Sequence, residues 1–254
     1  MPGISVIAIA KNEERNIGRM IESVRGLADE IIVVDGGSTD KTVEISESLG
    51  GLVIAIPWQG YGKTKNEGSS HAKSEYIFFL DADESLSPEL RSWLIANKAN
   101  LSGAYRFRRL TNYCGRWIRH GGWYPGKKLR LVPRGTASWD HKEVHETLLL
   151  NKDCKISCPP GNILHHSYYT FEEHRVRTNK YAMLAAIELS KKNQITLRFK
   201  KWLSPPIRFL QTWIFGLGFL DGNAGWMIAK MTAWEGFLKH REALRLKTLQ
   251  ENGA

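Results

Sequence analysis

Two aspartates stand directly after a short apolar run, in the sequence Tyr76-Ile77-Phe78-Phe79-Leu80-Asp81-Ala82-Asp83-Glu84. Carboxylates two residues apart in a turn can aim at one point, which suits a hard divalent cation. Mg²⁺ or Mn²⁺ held by one or two carboxylates takes its remaining ligands from water and substrate phosphates. Asp81 and Asp83 therefore predict a metal site for a nucleotide diphosphate. The alternative is a solvated acidic turn that only caps the next helix.

The apolar run before these carboxylates predicts a buried strand that is covered on both faces, as in a parallel sheet. Ligands of such sheets bind in the crevice outside the carboxyl ends of the strands. After the turn, Ser87-Pro88-Glu89 predicts a helix start with Ser87 as the N-cap residue. The strand therefore places the two aspartates at a ligand-binding edge.

The chain before this strand alternates strands and helices from its first residues, which predicts a mostly parallel sheet with helical crossovers. Asp35 follows a predicted strand in the same way as Asp81, so both can converge on one crevice; a plain turn residue is the alternative for Asp35. We predict strands over residues 4–10, 30–34 and 52–56, with helices over 16–24, from 41 and over 63–72.

The first strand runs into Lys11-Asn12-Glu13-Glu14, and no glycine-rich dinucleotide fingerprint follows it. The chain also has no Gly-x-x-x-x-Gly-Lys-Ser/Thr sequence. Dinucleotide enzymes and Walker-type ATPases are therefore disfavoured.

Four motifs in order resemble the family 2 inverting glycosyltransferases of GT-A fold. They are Ser5-Val6-Ile7 through Lys11-Asn12-Glu13-Glu14, Val33-Val34-Asp35-Gly36-Gly37-Ser38-Thr39-Asp40, Lys65-Asn66 with Gly68, and Phe79-Leu80-Asp81-Ala82-Asp83-Glu84. The resemblance implies a GT-A-like α/β domain and a UDP-sugar donor. It implies that Asp35 contacts the uracil or ribose with Glu13 nearby, that Asp81 lies near the ribose and donor sugar, and that Asp83 binds the metal on the diphosphate. The implied nucleotide-binding residues are Ala10, Asn12, Glu13, Asp35, Lys65, Asp81, Ala82 and Asp83.

The second half lacks the Gln-x-x-Arg-Trp sequence of processive members and contains Trp139-Asp140-His141-Lys142-Glu143-Val144-His145-Glu146. This segment is similar to the Val-His-Glu form of small bacterial glycosyltransferases, including the lipopolysaccharide inner-core β-glucosyltransferases that act on heptose. The resemblance reaches Gly218-Phe219-Leu220-Asp221-Gly222. It implies transfer of a hexose, with glucose expected, to a lipopolysaccharide core or related glycolipid.

Inverting transfer needs a base that takes the acceptor proton opposite the departing UDP, a role that Glu or Asp can perform. Glu146 occupies the place where the wider family carries its base, and Glu143 and Asp140 are alternatives. His145 could complete the metal site with Asp83 and Asp81, or could only be hydrogen-bonded beside the base. Arg130 or Lys128 could stabilise the charge that develops on the departing phosphate.

An aromatic and basic loop, Gly121-Gly122-Trp123-Tyr124-Pro125-Gly126, predicts the acceptor site. Sugars stack on aromatic rings, and arginines bind phosphate in a bidentate manner. The alternative is a solvated basic face around a buried tryptophan. The candidate acceptor-binding residues are Arg116, Trp123, Tyr124, Lys128 and Arg130.

Beyond residue 165 the pattern becomes helical, which predicts a catalytic domain over 1–165 and a helical appendage over 166–254. Val176, Tyr181, Leu184, Ile187 and Leu189 mark the apolar face of one helix. The twelve uncharged residues 209–220 are too few to span a bilayer, but they follow a basic, Trp-containing segment suited to an anionic membrane surface. Packing on the catalytic domain or in a homo-oligomer is the competing interpretation.

The formal charge of +10 is divided unevenly, at −5 for residues 1–100, +8 for 101–164 and +7 for 165–254. The basic rear half indicates an anionic partner. Three cysteines form an odd set and the chain start lacks signal-peptide features, so we expect a cytoplasmic protein at the inner face of the bacterial membrane. The alternatives are a sugar-phosphate nucleotidyltransferase and a basic nucleic-acid-binding protein; acidic residues at strand ends argue against nucleic acid as a partner.

Overall fold

A computed structural model describes residues 1–140, 146–151 and 153–252. The chain forms two compact units, one of Met1–Leu110 with Gly126–His166 and one of Thr111–Pro125 with Ser167–Ala254. The division into domains at residue 165 stays a prediction. The second unit begins close to that residue but also includes Thr111–Pro125, which the sequence pattern left in the catalytic domain.

The first unit begins with alternating strands and helices, and its strands β1 to β4 form a parallel array in the order β3-β2-β1-β4. This confirms the predicted α/β class of GT-A-like architecture. The predicted elements are present, with ends that shift by two residues or fewer. Their bounds are β1 Ile4–Ala10, α1 Ile17–Val24, β2 Glu30–Asp35, α2 Thr42–Ser48, β3 Leu52–Ala55, α3 Tyr61–Ser70 and β4 Tyr76–Asp81.

The central strand β1 is buried along its whole length, because helices cover both faces of a parallel sheet. Its alternate residues belong to two different cores. Val6 packs on the face that holds α1, with Met20, and Ile7 packs on the other face, with Val34. On that second face, a Cβ atom at Gly68 of α3 would lie 2.7 Å from the side chains of Ile7 and Val34. Glycine therefore allows α3 to lie close to the carboxyl edge of the sheet.

Antiparallel strands continue the sheet from β4 through β8 and β6 to β12 and β5, an extension that the sequence pattern did not predict. Strands β9 and β10 form a separate two-stranded sheet. The bounds are β5 Glu84–Leu86, α4 Pro88–Asn97, β6 Ala104–Tyr113, β7 Arg116–Ile118, β8 Gly126–Pro133, β9 Ala137–Trp139, β10 Leu148–Leu150, β11 Ile156–Ser157 and β12 Asn162–Tyr168.

The acidic turn after β4 is shorter than its sequence indicates. Glu84 already belongs to β5, where it pairs with His165 of β12 and is 1% exposed. The predicted start of the next helix is confirmed, because the Ser87 side chain accepts a hydrogen bond from Leu90 N at 3.2 Å and Pro88 occupies the first turn. The turn itself is therefore reduced to Ala82 and Asp83.

The second unit contains three long helices, α5 Phe171–Leu189, α6 Gln194–Leu210 and α7 Gly222–Asn252. Helix α5 begins with a capping box between Thr170 and Glu173. The predicted buried face of α5 is wrong: Val176, Tyr181, Leu184 and Ile187 are exposed. The buried positions are instead His174, Thr178, Ala182 and Ala186, since small side chains repeated every four residues allow close helix packing.

The uncharged stretch 209–220 is not one continuous helix. It consists of the end of α6, a π-helical turn over Gln211–Phe215 and a 3-10 turn over Gly218–Asp221. Leu217, with φ 56°, separates the two turns. Of the helices that the structure describes, none is both long enough and apolar enough to cross a bilayer.

His174 gives the second unit a pH-dependent stability. The Tyr113 hydroxyl and His174 Nδ1 are hydrogen-bonded at 2.8 Å in a buried aromatic cluster, and burial with the nearby Arg177 charge lowers the pKa of His174 from 6.5 to about 4. As the pH falls, the His174 ring therefore becomes protonated in the unfolded chain before it does so in the folded chain. The free energy of unfolding consequently decreases as the pH falls from 6.5 to about 4. We expect a loss on the order of 3 kcal/mol from this group.

Urea unfolding at pH 7 and pH 4.5 measures this loss. The variant His174→Gln should show a smaller fall in stability between the two pH values than the wild type. An equal fall in both proteins would contradict the assignment to His174. His71, which is exposed on the first unit, provides the matched control as His71→Gln, and its fall should equal that of the wild type.

Candidate active site

The predicted ligand-binding edge lies at the carboxyl ends of β1, β2 and β4. In the sheet register, Ala10 pairs with Asp35 and Ile9 pairs with Asp81, so the two aspartates end the strands on either side of β1. Ala10 and Ala82 are buried beside them, and the Ala10 carbonyl accepts a hydrogen bond from Gly36 N at 2.9 Å. The structure therefore brings the first and last of the four motifs to one edge.

Asp35 is buried, and its carboxylate organises the turn that follows β2. It accepts hydrogen bonds from Gly37 N at 3.0 Å and from Ser38 N at 3.0 Å, and from the Ser38 hydroxyl. Asn12 connects this turn to the first motif, because its Oδ1 accepts from Thr39 N at 2.8 Å. These contacts match the alternative of a plain turn residue that the sequence left open for Asp35. Uracil or ribose binding stays a prediction.

Glu13 begins the connection between β1 and α1. Its amide donates to Thr42 Oγ1 at 2.7 Å, and its carboxylate accepts from Asn16 Nδ2 at 2.8 Å. The first motif and the second motif are thus joined by hydrogen bonds through Asn12 and Glu13. The two loops form one frame beside the strand ends.

Asp81 binds two buried cations, one through each carboxylate oxygen. Lys65 Nζ lies 2.8 Å from Oδ1, and Arg130 Nη2 donates to Oδ2 at 2.7 Å. Burial alone would raise the pKa of Asp81, but the charges of Arg130 and Lys65 hold that pKa well below its usual range. Asp81 is therefore ionised at neutral pH.

Arg130 lies at the centre of this network and is 3% exposed. Its Nη2 also donates to Glu84 Oε1 at 3.0 Å, and Glu84 Oε2 accepts from the Asp81 amide at 3.1 Å. Arg130 Nε is buried and has no hydrogen-bond partner among the described residues. An unsatisfied buried donor of this kind is rare in folded proteins.

Lys65 joins Asp81 to Glu146, the candidate base. Lys65 is 2% exposed, and its Nζ lies 2.8 Å from Glu146 Oε1 as well as 2.8 Å from Asp81 Oδ1. Because α3 carries Gly68 on the face that packs on the sheet, Lys65, one turn earlier, points to the same edge. The single side chain of Lys65 therefore connects the candidate base to the acidic motif.

The Trp139 ring packs against the two cations Lys65 and Arg130. Lys65 Nζ lies 4.3 Å and Arg130 Cζ 5.7 Å from its ring centroid, which are cation–π distances. Asn66 fixes the Trp139 backbone, since Oδ1 accepts from Trp139 N at 2.9 Å and Nδ2 donates to Trp139 O at 3.0 Å. The indole Nε1 is buried and has no partner among the described residues.

Replacing Asn66 by alanine should therefore destabilise the first unit by about 1–3 kcal/mol, because the Trp139 amide and carbonyl lose their partners. Urea unfolding measures this change. The neighbouring Glu67 is exposed, and Glu67→Ala should stay within about 0.5 kcal/mol of the wild type. Equal stability of Asn66→Ala and Glu67→Ala would contradict this role for Asn66.

Asp83 approaches a histidine that the sequence did not assign to the site. Asp83 Oδ2 lies 3.2 Å from His165 Nε2, and the Asp83 carbonyl accepts from His166 N at 2.9 Å. Burial, with the charge of Arg19, lowers the pKa of His166 to about 4, so that ring is neutral at pH 7. A carboxylate and an imidazole are both suitable ligands for Mn²⁺, and Asp83 with His165 fits the protein side of a metal site.

Three or more metal-binding side chains do not converge anywhere in the part of the chain that the structure describes. Two protein ligands are compatible with a cation that also binds substrate phosphates. Both oxygens of Asp81 contact cations, and its predicted role as a second metal ligand stays a prediction.

The segment 139–146 also contains the candidates Asp140, Glu143 and His145. Glu143 and His145 lie outside the described residues. Asp140 closes the β9–β10 hairpin, where its Oδ1 accepts from Thr147 N at 3.0 Å. That contact is structural, and the proposed catalytic role of Asp140 stays a prediction.

The candidate acceptor residues fall in both units. Lys128 is exposed on β8, two residues before the buried Arg130. In the second unit, Trp123 is half-buried and packs edge-on against Tyr113 at 5.8 Å, in the cluster that contains His174. This packing matches the alternative of a buried tryptophan, and acceptor binding by Trp123 stays a prediction.

The loop that carries Trp123 is anchored by Asp221. Its carboxylate accepts hydrogen bonds from Arg119 N at 3.2 Å and His120 N at 2.8 Å, and contacts His120 Nδ1 at 3.1 Å. Tyr124 lies 6.0 Å from the Arg119 guanidinium, and Arg116 donates to Leu220 O at 3.2 Å. The Asp221 motif therefore supports this loop.

Three further residues of the first unit were missed from the sequence: Glu84, Trp139 and His165. Glu84 belongs to the acidic motif, but only the structure shows that it is buried and forms an ion pair with Arg130. Trp139 begins the segment that ends in Glu146. No local sequence pattern assigns His165 to the site, and only the β5–β12 pairing reveals its position beside Asp83.

An open α/β sheet that brings buried carboxylates, buried cations and a carboxylate–imidazole pair to one edge is suited to binding a ligand at the strand ends. The model of "Glycosyl transferase family 2" matches residues 5–137. The chain belongs to this family and is a glycosyltransferase.

Two relatives extend the match beyond residue 137. An uncharacterized glycosyltransferase of Rickettsia typhi is 30% identical over 263 residues, covering 99% of this chain and 90% of the relative. The lipopolysaccharide core biosynthesis glycosyltransferase LpsC of Rhizobium meliloti is 30% identical over 253 residues, covering 93% of each. The resemblance to lipopolysaccharide core glycosyltransferases is therefore confirmed.

Two solved structures are similar over different lengths. Glucosyl-3-phosphoglycerate synthase from Mycobacterium tuberculosis, in complex with Mn²⁺, UDP and glucosyl-3-phosphoglycerate, is 28% identical and covers 44% of each chain with a TM-score of 0.37. TarS of S. aureus, residues 1–349, is 16% identical and covers 99% of this chain and 92% of its own, with a TM-score of 0.48. Family membership follows from the sequence matches.

Proposed function

We propose that this glycosyltransferase moves a hexose, glucose, from a UDP-sugar to a heptose of the lipopolysaccharide core or to a related glycolipid, with inversion at the anomeric carbon. The observation that carries the proposal is the Lys65 bridge between Asp81 and Glu146, with both distances at 2.8 Å. It connects the acidic motif of a donor site to a carboxylate suited to proton removal.

The donor nucleotide binds at the strand ends, beside the turn of Asp35 and the loop of Asn12 and Glu13. Lys65 and Arg130 are held on Asp81 at this edge and would supply fixed positive charge beside the phosphates. Cations fixed in place before the reaction stabilise the negative charge that develops on UDP without further reorganisation. Lys128 is a further candidate for this role.

Asp83 and His165 would hold Mg²⁺ or Mn²⁺, with the diphosphate and water as the other ligands. A bound divalent cation supplies Lewis-acid stabilisation of the departing phosphate. The support is the 3.2 Å approach of Asp83 Oδ2 to His165 Nε2. Asp81 and His145 stay candidates for the same site.

Glu146 acts as the base in this proposal. Lys65 binds Oε1 of Glu146, which orients the carboxylate, and the acceptor hydroxyl would donate its proton to this carboxylate as its oxygen attacks the anomeric carbon. The bond between that carbon and the phosphate oxygen breaks, and UDP departs with the electron pair. One displacement inverts the configuration.

The acceptor is an anionic glycolipid at the inner face of the bacterial cytoplasmic membrane. The name of the LpsC relative and the basic character of residues 101–254 support this choice. Arg116, Trp123, Tyr124 and Lys128 are the proposed acceptor contacts.

A transfer assay tests the proposed function. Purified protein is incubated with Mn²⁺, a panel of nucleotide sugars and lipopolysaccharide whose core is truncated at heptose. We expect transfer from UDP-glucose above the other donors, with a β-linked product by NMR. Lipopolysaccharide truncated before heptose is the matched control. UDP-sugar transfer to another acceptor would correct the acceptor alone, and no transfer from any nucleotide sugar would contradict the proposal.

A further inference from the structure

Helices α6 and α7 of the second unit enclose an apolar groove with a volume of about 480 Å³. Ligand sites in proteins have volumes of roughly 300–1,000 Å³, so the groove is large enough for part of an organic ligand. Aromatic rings and prolines make up most of its wall, and Lys230 is its one charged residue among those described. The groove is lined by Trp202, Pro205, Pro206, Phe209, Lys230, Met231, Ala233, Trp234 and Phe237.

The walls of the groove are ordered by contacts between rings. Phe237 stacks on Trp234 at 5.7 Å and contacts Trp202 at 5.7 Å. Trp234 Nε1 donates to Asn179 Oδ1 at 3.1 Å, which fixes its indole. The indole groups are thus held in position while Trp202 remains 69% exposed.

Exposed apolar side chains continue from the groove along α6 and the following turns. Phe199 is 71% exposed and Phe215 is 80% exposed, values that are unusual for phenylalanine. A contiguous apolar surface of this kind marks an interaction site. Its other exposed members are Leu203, Ile207, Leu210, Ile214, Leu217, Phe219 and Leu220.

The charged side chains of the segment that forms most of this surface are all positive. Residues 191–220 contain six lysines and arginines and no aspartate or glutamate. Lys201 Nζ lies 4.8 Å from the centroid of the Trp202 ring, directly beside the groove. On α7, Glu235 is paired with Arg208 at 3.2 Å and Lys239 at 3.4 Å, so it does not cancel the exposed lysines.

A second copy of this chain is a poor occupant for such a surface. In a two-fold dimer the same patch meets itself, so Lys200, Lys201 and Lys230 of one copy would face the same lysines of the other. An anionic lipid surface complements both properties, because its head groups attract lysine and arginine while its chains receive apolar and Trp side chains.

We infer that the α6–α7 groove binds the acyl chain of an anionic bilayer lipid, with Lys200, Lys201 and Lys230 at the head group. The surrounding apolar residues of α6 and the turns after it enter the membrane interface. This inference deepens the membrane association of the proposed function and rests on that part alone. The transfer chemistry of the first unit does not enter it.

Vesicle co-sedimentation of the full chain tests the charge requirement. Vesicles of phosphatidylglycerol and phosphatidylethanolamine should bind the protein, and phosphatidylcholine vesicles should bind it far more weakly. The double variant Lys200→Gln, Lys201→Gln should bind anionic vesicles about 30-fold more weakly, since each basic residue contributes about fivefold to binding. The matched control is Lys41→Gln, Lys73→Gln, two exposed lysines of the first unit.

Lipids with bromine on the acyl chain test the groove itself, because bromine quenches tryptophan only on contact. We expect quenching of the wild type, and a smaller fractional quenching in Trp202→Phe, Trp234→Phe. Trp93→Phe, which changes a half-buried tryptophan of the first unit, should leave the quenched intensity unchanged.

Three results would overturn the inference: equal binding to anionic and zwitterionic vesicles, no effect of the groove variants on quenching, or a concentration-dependent dimer lost in Trp202→Asp. UDP titration of the same preparations separates the two proposals. Lost vesicle binding with intact UDP binding overturns only the groove, whereas the reverse overturns only the donor site.

Discussion

Replacing Glu146 by glutamine is expected to lower the turnover rate by about 10²- to 10⁴-fold, the usual contribution of a general base. Glutamine keeps the size of the side chain and can still accept the hydrogen bond from Lys65 Nζ through its amide oxygen. UDP binding should therefore stay near the wild-type value. Steady-state kinetics of UDP release, together with UDP titration, measure the two effects separately.

The matched control is Asp140→Asn, because Asp140 precedes the same segment and its Oδ1 accepts from Thr147 N. Its turnover should fall far less than that of Glu146→Gln. Glu143→Gln decides the other alternative left by the sequence. A large loss in Glu143→Gln or Asp140→Asn with a near-normal Glu146→Gln would reassign the base.

Replacing Arg130 by methionine is expected to destabilise the protein by about 3–5 kcal/mol, which is the usual result of removing one partner of a buried ion pair. Glu84 is fully buried and would be left with Arg109 Nη1, at 3.5 Å, as its remaining ion-pair partner among the described residues. Asp81 would also lose one of its two cations, and its pKa should rise toward the usual range. Chemical denaturation with urea at pH 7 measures the loss.

Two variants check this explanation. Lys128→Met lies two residues away on the same strand but is exposed, and its stability should change by no more than about 0.5 kcal/mol. The double variant Arg130→Met, Glu84→Gln should recover part of the stability, since it removes the uncompensated buried charge. A double variant less stable than Arg130→Met would show that packing, not charge, determines the loss.

The parallel half of the fold was predictable from the sequence because its signals are local. Strand β1 is a run of apolar residues that reads the same in any context, and the helix α4 begins at the predicted Ser87-Pro88 signal. The antiparallel strands β5 and β12 are short or polar, and their pairing of Glu84 with His165 joins residues far apart in sequence. No local pattern contains that pairing.

The candidate site was predictable in its residue types and only partly in its geometry. Asp81 and Lys65 were both expected among the nucleotide-binding residues, and the structure shows that they form an ion pair. The contact of Lys65 with Glu146 crosses 81 residues and depends on where the β9–β10 hairpin lies. Arg130 was expected to stabilise the charge on the departing phosphate, and the structure shows it buried in contact with two carboxylates.

The helical unit shows where periodicity gives the wrong answer. A stripe of large apolar residues on α5 predicted the buried face, but the helix packs through Ala182 and Ala186 and exposes Leu184 and Ile187. Sequence hydrophobicity assumes that water covers every exposed face. The apolar residues of α6 are exposed as well, and a contiguous exposed apolar surface marks an interaction site.

Calorimetric titration of UDP and UDP-glucose into the purified protein, with Mn²⁺ or with EDTA, tests the donor site most directly. The account predicts binding of both ligands with Mn²⁺, weak or absent binding with EDTA, and loss of the metal effect in Asp83→Asn. The exposed Glu89→Gln, on α4, should behave as the wild type. If the wild type bound no UDP either with Mn²⁺ or with EDTA, this result would contradict the proposed donor site.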